Sequence, residues 1–588
     1  MKSVNRNRRI TRRDFLLVTG VAAASLAAGC GRRGGPSGGL TTPSGSSGGN
    51  DVLYASAKPP APPSGDPDLV LRNGKVITVD INDTIAQALA VKDGRIQAVG
   101  SNETIDALKG GSTQVVDLNG RAMTPGLIDP HFHLGIIAAM LKYIPFMPPE
   151  VENIPELQKK LKEVVAQTPA GNWILGYFFL LEEGRAATAQ ELDTVSPNHP
   201  VWIIHQGGHF GSANTMALQL ADITKDTPNP MGSIIERDKD GNPTGAFYNH
   251  RAMDALRKVV PAELTAPDPQ GLTANQDVML GVGITTFHDV YVRGADLLKI
   301  YADFGSSGAM KLHGAVYPII EYPTQVESLL KLDRTREPWL RVGGMKLQID
   351  GQGPTAFTNL PHDGPSWDMP AWDVDIFKQT VRTLHEAGVQ ISTHCLGDAA
   401  LDLTLDAYEE AMNASPRSDP RHRIEHVTLS TTEAHKRMKD LGVIASVSSS
   451  FIPHAGDYFL REFKKHLDLF VTTRSLLDQG VAVCLNSDYP TTTWAAPVMS
   501  MAGAVNRQTQ TKRVAVPEQA ITIAEALRAH TMGGAYSGFD ESDRGSLEPG
   551  KLADLAVWTN DPLSMTPEQI GNATIDATYV EGKVVYGA

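Results

Sequence analysis

The stretch Met123-Thr-Pro-Gly-Leu-Ile-Asp-Pro-His-Phe-His-Leu-Gly135 predicts a buried strand that ends in two histidines. Side chains alternate between the faces of a strand, so His131 and His133 point the same way and Phe132 points the other way. Two imidazoles on one face at the end of a strand are well placed to share a metal ion. The chain has 17 histidines in 588 residues. At that frequency the number of His-x-His triplets expected by chance is about 0.5, so one such triplet is weak evidence by itself. The motif therefore needs further ligands from elsewhere in the chain.

Residues 1–29 resemble an export signal and are set aside from the fold. A basic start precedes an apolar run that is too short and too rich in alanine for a membrane span. Thr11-Arg-Arg-Asp-Phe-Leu16 resembles a twin-arginine signal, which the export machinery reads. Leu26-Ala-Ala-Gly-Cys30 resembles a lipobox, which implies lipidation of Cys30 and a membrane anchor; cleavage near Ala28 is the alternative. We therefore expect a periplasmic or cell-surface protein.

Residues 30–66 consist mostly of Gly, Ser and Pro, a composition typical of a flexible tether. The remaining residues are enough for a large core or two domains. Apolar content of 41% and charged content of 20% are ordinary for a globular protein. The net charge is −13 and the basic residues concentrate in the leader, so we expect no nucleic-acid partner. Besides Cys30 there are only Cys395 and Cys484, so no disulfide framework is expected.

Short strands with turns characterise both ends of the remaining chain. We predict hairpins around Asn73-Gly74 and Asp93-Gly94, and another around Glu581-Gly582, with none in between. Strands at both ends indicate one composite β-sandwich domain, built from residues 67–121 and 545–588.

Residues 122–544 alternate apolar runs with helical stretches, which indicates a parallel α/β fold. A helix is predicted at 375–387, and another begins at Thr522 with a capping box. We expect strands to end near residues 133, 289, 317, 350, 394, 427, 446 and 488. Eight strands with intervening helices favour a (β/α)8 TIM-type barrel. Residues 140–275 are too long for one crossover and are interpreted as an insertion over the barrel mouth.

The alternation of side chains places candidate ligands on the inner face of several strands. Lys346 shares the polar parity of its strand with Gln348 and Asp350, and the same pattern places His394 and Asp488 inward. Small or polar residues face a barrel axis, while large apolar residues face the helices. Active sites of such barrels lie at the carboxyl ends of the strands.

The strand at 421–426 has a less regular pattern. We expect His426 to face inward together with Ile424, which would turn Arg423 and Glu425 outward. Lysine is unusual in a buried strand because an ammonium group is costly to bury. Burial lowers its pKa and frees an amine that can add carbon dioxide, giving a carbamate that bridges two cations. The alternative is a buried ion pair between Lys346 and Asp350.

Six motifs occur in a fixed order along the chain. They are Thr124-Pro-Gly-Leu-Ile-Asp-Pro-His-Phe-His133, Lys346…Asp350-Gly351, Thr393-His-Cys-Leu-Gly-Asp398, Arg423-Ile-Glu-His-Val427, Asn486-Ser-Asp-Tyr-Pro490 and Gly545-Ser-Leu-Glu-Pro-Gly-Lys-Leu-Ala-Asp-Leu555. This ordered set resembles the amidohydrolase superfamily, specifically the amidohydrolase 3 branch that includes N-substituted formamide deformylases. The resemblance implies a (β/α)8 barrel with a composite β-sandwich. It also implies one or two divalent cations, with zinc expected, held by His131, His133, carboxylated Lys346, His394, His426 and Asp488.

The resulting functional hypothesis is hydrolysis of a non-peptide C–N bond in a small amide or N-substituted formamide. Asp488 would bind metal or transfer the proton, and His209 would polarise the carbonyl unless it is a surface loop residue. The stretches Gln206–Asn214 and Ser446–Ser450 depart from the family pattern and are expected to line the substrate pocket. A mononuclear deaminase and a non-catalytic, lipid-anchored binding protein are the alternatives. A homo-oligomer is compatible with the sequence.

Overall fold

The computed structural model describes residues 58–140, 142–147, 150–178, 185–334, 339–361, 369–492 and 496–587. The predictions for the export signal, for Cys30 and for most of the tether lie outside these residues. Residues 58–66, the described end of the tether, form neither helix nor strand. Within the described ranges, no helix combines the length and the apolar character needed to cross a bilayer.

The strands follow one another along the whole described chain. They are β1 (Leu69–Arg72), β2 (Lys75–Ile77), β3 (Ile85–Ala86), β4 (Ala88–Lys92), β5 (Arg95–Gly100), β6 (Gln114–Asp117), β7 (Ala122–Pro125), β8 (Leu127–Phe132), β9 (Ile144–Phe146), β10 (Ile174–Phe178), β11 (Val201–His205), β12 (Phe210–Ala213), β13 (Ile234–Arg237), β14 (Pro243–Tyr248), β15 (Ile284–Val292), β16 (His313–Pro318), β17 (Leu340–Val342), β18 (Met345–Gln348), β19 (Ile391–Cys395), β20 (Arg423–His426), β21 (Ile444–Val447), β22 (Val483–Leu485), β23 (Leu555–Trp558), β24 (Ile575–Val580) and β25 (Lys583–Tyr586).

The helices alternate with the strands from β8 onward. They are α1 (Asn102–Asp106), α2 (Leu134–Met140), α3 (Ile154–Gln167), α4 (Ala189–Asp193), α5 (Thr215–Leu220), α6 (Asp254–Val259), α7 (Ala262–Thr265), α8 (Pro269–Gly281), α9 (Gly294–Ser306), α10 (Val326–Leu330), α11 (Val374–Glu386), α12 (Asp398–Ala414), α13 (Thr432–Asp440), α14 (Phe451–Glu462), α15 (Thr473–Asp478), α16 (Pro497–Asn506), α17 (Ile523–Arg528) and α18 (Gly534–Ser537). A π-helical turn, Ala529–Gly533, joins the last two.

Two parallel sheets form the centre of the α/β fold, with strand orders β17-β16-β15-β8 and β18-β19-β20-β21-β22. A strand is present at each of the eight predicted positions, and the additional short strand β17 directly precedes β18. Between β17 and β18 lie Gly343 and Gly344, where a Cβ atom would meet the ring of Tyr317 at 2.8 Å. A parallel bridge between Ile319 and Lys346 connects the two sheets.

The segment after β22 is hydrogen-bonded to the end of β8. The amide of Asp488 donates to the carbonyl of His131 at 3.1 Å, and the amide of His133 donates to the carbonyl of Tyr489 at 2.9 Å. These bonds bring the last parallel strand back to the first one. The carboxyl ends of the strands that carry candidate ligands therefore meet at one edge of the fold.

The helix predicted at 375–387 is confirmed as α11, and its apolar stripe of Phe377, Val381 and Leu384 is fully buried. Asp373 caps this helix by accepting hydrogen bonds from the amides of its first turn. The capping box predicted at Thr522 is also present, with Thr522 and Glu525 bonded reciprocally at the start of α17.

Both chain ends contribute to one six-stranded sheet of order β25-β24-β23-β7-β2-β3, which lies beside a four-stranded sheet of order β5-β4-β1-β6. The hairpins predicted at Asp93-Gly94 and Glu581-Gly582 are confirmed. The hairpin predicted at Asn73-Gly74 is wrong, since β1 and β2 belong to different sheets and the turn carries the chain from one to the other. Gly74 packs there against Leu118, whose side chain a Cβ atom would meet at 2.4 Å.

The predicted insertion contains a six-stranded mixed sheet of its own, of order β13-β14-β12-β11-β10-β9. One apolar cluster includes Phe146, Phe178 and Phe210, and another includes Trp202 and Phe247, so both faces of the sheet are buried. The expectation that no hairpin lies between the chain ends is wrong, because β13 and β14 form an antiparallel pair joined by a short turn.

Candidate metal centre

His131 and His133 lie at the carboxyl end of β8 and face the same carboxylate, as the alternation of side chains predicts. The Oδ1 atom of Asp488 is 3.3 Å from Nε2 of His131 and 3.0 Å from Nε2 of His133. Candidate ligand atoms from these three buried residues all lie within 4.8 Å of one another. Two imidazoles and a carboxylate at this spacing form a donor set that suits a divalent transition metal.

His394 and His426 form the second half of the cluster. Their ring centroids are 4.4 Å apart, and the rings of His131 and His426 are 4.6 Å apart. Ser448 contacts Nδ1 of His426 at 2.8 Å, which leaves Nε2 of that ring for another ligand. Nε2 of His394 is buried and has no hydrogen-bond partner among the described residues. The two pairs of histidines therefore share one compact centre.

The amine of Lys346 is buried in β18 and makes no hydrogen bond within the described part of the chain. Burial lowers the pKa of Lys346 to about 8, against the opposing influence of Glu425 and Asp488. The alternative ion pair with Asp350 is not formed. Asp350 instead accepts hydrogen bonds from the amides of Leu396 and Gly397, the latter at 2.8 Å. An unpaired amine that lines the same cavity as four candidate histidine ligands indicates a missing partner group.

The contacts of Glu425 show which way the side chains of β20 point. Its Oε2 is 2.6 Å from Nδ1 of His131, its Oε1 accepts from Ser392 at 2.7 Å, and Arg423 forms an ion pair with it at 2.9 Å. The prediction that Arg423 and Glu425 face outward is therefore wrong. Burial raises the pKa of Glu425, but Arg423 and His131 outweigh burial and hold that pKa well below its ordinary value. An ionised Glu425 thus fixes the orientation of His131.

The reason for this reversal lies in the backbone. His426 and Val427 have φ values of 74° and 48°, in the left-handed region that β-branched residues rarely adopt. In an extended strand, neighbouring residues such as Glu425 and His426 point to opposite faces. The turn at His426 rotates its ring toward the candidate metal centre, so both side chains reach the site. Asp488 adopts φ 53° directly beyond β22. Such strained conformations cost about 1–3 kcal/mol each and concentrate at functional sites.

His209 belongs to the site and is not a surface loop residue. Its ring lies 4.9 Å from that of His394, and Nδ1 accepts a hydrogen bond from Nε2 of Gln348 at 2.9 Å. Burial lowers the pKa of His209 to about 4, so the ring is neutral. The preceding Gly208 adopts φ 73°, a conformation open to glycine that turns the loop toward the centre.

Two further aspartates, Asp129 and Asp289, support the candidate ligands. Asp129 accepts from the amides of His131 at 3.3 Å and Ser487 at 3.2 Å, and so ties β8 to the Asp488 loop. Asp289 accepts from the amide of Gly135 at 2.9 Å and lies 3.9 Å from Nδ1 of His133. Asp129 shares the parity of the two histidines, which is the signal that sequence reasoning overlooked.

A cavity of about 280 Å³ opens above this centre. Its floor contains all six predicted ligands, and its walls include Gln206–His209 of the predicted stretch. The rest of that stretch, residues 210–214, lies outside the lining. The prediction that Ser446–Ser450 lines the pocket is wrong. Ser448 and Ser449 are directed into the fold, where they bond to Asn486 at 2.8 Å and to the carbonyl of Ser500 at 2.7 Å.

Residues 114–586 match the model of the amidohydrolase family, Amidohydro_3. The chain belongs to the amidohydrolase family. It is 32% identical over 543 residues to N-substituted formamide deformylase from Arthrobacter pascens, a match that covers 88% of this chain and 98% of the relative. It is 29% identical to the protein LONG AFTER FAR-RED 3 from Arabidopsis thaliana, over 91% of this chain and 95% of that protein.

The fold is similar to the crystal structure of an uncharacterized metal-dependent hydrolase from Pyrococcus horikoshii OT3. The TM-score is 0.66 at 25% identity, and the match covers 85% of this amidohydrolase and 99% of the other chain. The family match, the deformylase relative and the His–His–Asp cluster together identify a metal-dependent hydrolase that acts on C–N bonds.

The substitution Glu425→Gln tests the support of the metal centre. It keeps the side-chain shape but removes the charge that orients His131, so we expect affinity for a divalent metal to fall about 10–100-fold. Competition with a chromophoric chelator measures this affinity. Glu433→Gln, at an exposed position in α13, is the matched control and should leave the affinity unchanged. Equal affinity in both variants would show that His131 binds metal without help from Glu425.

Proposed function

We propose that this amidohydrolase cleaves an amide or N-substituted formamide at a divalent-metal site. The observation that carries the proposal is the floor of the cavity, where four imidazoles, one carboxylate and one unpaired amine meet beneath a space for a small molecule. The N-substituted formamide deformylase that the chain resembles over nearly its whole length supports this substrate class.

The six groups divide into two sets that fit one or two ions of a metal such as zinc. His131, His133 and Asp488 would hold one ion, His394 and His426 the other, and the carbamate of Lys346 would bridge them. When bound, the metal acts as a Lewis acid that lowers the pKa of water to about 7 and polarises the substrate carbonyl. Every other contribution comes from side chains of the chain itself.

Lys346 is suited to form the carbamate. Its neutral amine attacks the carbon of carbon dioxide: the bond between Nζ and carbon forms, one C=O π pair moves onto oxygen, and Nζ releases one proton to water. The product carries a negative charge and two oxygen acceptors in place of an unpaired amine. Burial, which lowers the pKa of Lys346 to about 8, favours the neutral form that reacts.

Asp488 is placed to move the proton. Burial raises the pKa of Asp488, but the imidazoles of His426, His131 and His133 outweigh burial and hold it well below its ordinary value. The ionised carboxylate can therefore accept a proton from the attacking water and deliver it to the leaving nitrogen. Thr491 donates a hydrogen bond to its Oδ2 and fixes the orientation of the carboxylate.

His209 is placed to stabilise the oxyanion. Because Nδ1 accepts a hydrogen bond from Gln348, the hydrogen of the neutral ring resides on Nε2. This N–H group can donate to the substrate oxygen as negative charge develops there. The deaminase alternative would need a free glutamate as the acid near β20, the strand that carries His426. Glu425 is occupied by His131, Ser392 and Arg423, which favours the hydrolase.

We also propose that the two parallel sheets together form one closed (β/α)8 barrel over residues 122–544. The bridge at Lys346 and the bonds between Asp488 and the end of β8 support closure. The two sheets of residues 67–121 and 545–588 would form the composite sandwich, and residues 140–275 the insertion over the barrel mouth.

A panel of substrates tests the proposed function. Metal-loaded enzyme should hydrolyse at least one N-formyl amine, N-acyl amine or cyclic amide well above background, and removal of the metal by a chelator should abolish turnover reversibly. Release of the amine product is the readout. Background rates on the whole panel, with metal bound, would support the binding-protein alternative.

The substitution Lys346→Ala tests the carbamate. We expect it to remove the bridge between the ions and lower kcat/KM by roughly 10²-fold or more, with partial rescue by acetate or formate. Metal content per chain is measured together with activity. Lys299→Ala removes a lysine of exposed surface and serves as the control. Full activity with two metals per chain in Lys346→Ala would contradict the bridging role.

We also propose export by the twin-arginine route and anchoring through Cys30, which rests on the leader sequence. Replacement of Arg12 and Arg13 by lysine keeps the charge but changes the recognised pair, so we expect the protein to remain inside the cell. Fractionation with immunoblotting measures its location, and a Cys30→Ala variant separates anchoring from export. Normal export of the twin-lysine variant would disprove the twin-arginine assignment.

A further inference from the structure

Two arginine side chains line the same cavity as the metal ligands. Arg257 lies on α6 in the predicted insertion, and Arg293 directly follows β15. Their side chains are 22% and 33% exposed. Their exposure and their position in the cavity lining make their guanidinium groups available to a bound molecule. The mechanism proposed above uses neither residue.

Two carboxylates hold these guanidinium groups in place. Oδ1 of Asp254 accepts from Nη1 of Arg257 at 2.7 Å and from Nη2 of Arg293 at 3.0 Å. Oε2 of Glu321 accepts from Nε of Arg293 at 2.6 Å. Tyr322 donates to the other oxygen of Asp254. Since both carboxylates are engaged by these groups, the arginines are oriented before any ligand arrives.

The arginines retain donors that the protein does not use. Arg257 donates only through Nη1, to Asp254 and to the carbonyl of His250, so its Nε and Nη2 have no partner among the described residues. Nη1 of Arg293 likewise has no described partner. The guanidinium fork matches a carboxylate, which can accept two parallel hydrogen bonds.

The charge of the cluster also favours an anion. Arg251 lies in the same cluster, where it donates to the carbonyl of Glu321. The cluster therefore contains three guanidinium groups and the two carboxylates of Asp254 and Glu321. His250 adds no charge, because burial and the neighbouring arginines hold its pKa well below the ordinary value. Arg251 lies behind the cavity lining, and with it the described cluster of three guanidinium groups and two carboxylates carries one net positive charge.

A short chain of contacts relates this cluster to the metal centre. The ring of Tyr291 lies edge-on to that of His133, with centroids 6.1 Å apart, and its hydroxyl is 3.5 Å from Oε1 of Glu321. Glu321 then pairs with Arg293. The cavity lining also includes Tyr143, Tyr177, Ile204 and Leu297. One cavity therefore combines the metal ligands, an apolar wall and a pair of arginines.

We propose that Arg257 and Arg293 bind a carboxylate of the substrate. The inference rests on the proposed function and defines its substrate class as amides or formamides with an apolar body and a terminal carboxylate. The apolar wall contacts the body, and the arginines select the charged end. A charge-assisted bidentate contact of this kind should raise kcat/KM about tenfold or more for a substrate with the carboxylate over the same substrate without it.

Matched substrate pairs test this inference on metal-loaded enzyme. The pairs are 4-(formamidomethyl)benzoate with 4-(formamidomethyl)benzamide, and N-formylphenylalanine with its amide. We expect the wild-type enzyme to prefer the carboxylate at least tenfold in kcat/KM in one pair. Arg257→Gln should reduce that preference about tenfold, chiefly through KM, and Arg257→Lys should restore part of it. Arg382→Gln, at a half-exposed position on α11, is the control and should keep the wild-type preference.

The outcomes separate the inference from the proposed function. Hydrolysis of both members of each pair at equal rates would overturn the inference and leave the proposed function intact. Equal losses on both members in Arg257→Gln would also overturn it. If no formamide is hydrolysed, calorimetry with 4-methylbenzoate and 4-methylbenzamide provides the test. Preferential binding of the carboxylate that Arg257→Gln abolishes supports the inference, and binding that Arg257→Gln leaves unchanged overturns it.

Discussion

The amine of Lys346, buried in a parallel strand without a hydrogen-bond partner, is the constraint on which the rest of the site depends. A buried polar group with no partner costs about 1–3 kcal/mol, and more when it is charged. The neighbouring rings make no hydrogen bond to this amine, and burial keeps His394 and His426 neutral by lowering their pKa values well below the ordinary range. The lone pairs of these neutral rings and the carboxylate of Asp488 are thus directed into the same cavity as the amine. The proposed cation and the proposed carbamate would give partners to the lone pairs and to Lys346 together.

The surrounding fold maintains this arrangement by bonding to the far side of several rings of the site. Glu425 orients His131, Ser448 orients His426, and Gln348 orients His209. The left-handed backbone at His426 and Asp488 adds strain that the buried core around them must offset. The proposed metal ligands come from strand ends of the parallel sheets, whereas much of the cavity wall comes from the insertion. The proposed chemistry therefore lies mainly on strand ends, with His209 supplied by the insertion, and the proposed carboxylate site combines Arg257 of the insertion with Arg293 at the end of β15.

Much of the site follows from side-chain alternation, which correctly placed His131, His133, Lys346 and His394. The alternation rule failed at β20 because it assumes extended backbone. Neither His426 nor Val427 is a residue type that predicts a positive φ. Asn73-Gly74 has the sequence of a hairpin turn, but the strands on its two sides find better partners in different sheets. The six-stranded sheet of the insertion escaped prediction because its strands are short and its pairing depends on contacts distant in sequence. Asp254, Arg257 and Arg293 were also beyond sequence reasoning, since only the folded chain brings α6 next to the end of β15.

Anomalous diffraction from crystals of the zinc-loaded enzyme, recorded at the zinc absorption edge, tests the central claim most directly. The account predicts one or two peaks at the floor of the cavity, each about 2.0–2.3 Å from nitrogen or oxygen donors of His131, His133, His394, His426 and Asp488. It also predicts electron density for a carboxylated Lys346 between two peaks. Peaks confined to other parts of the molecule, with an unmodified Lys346 and only water above the histidines, would contradict it.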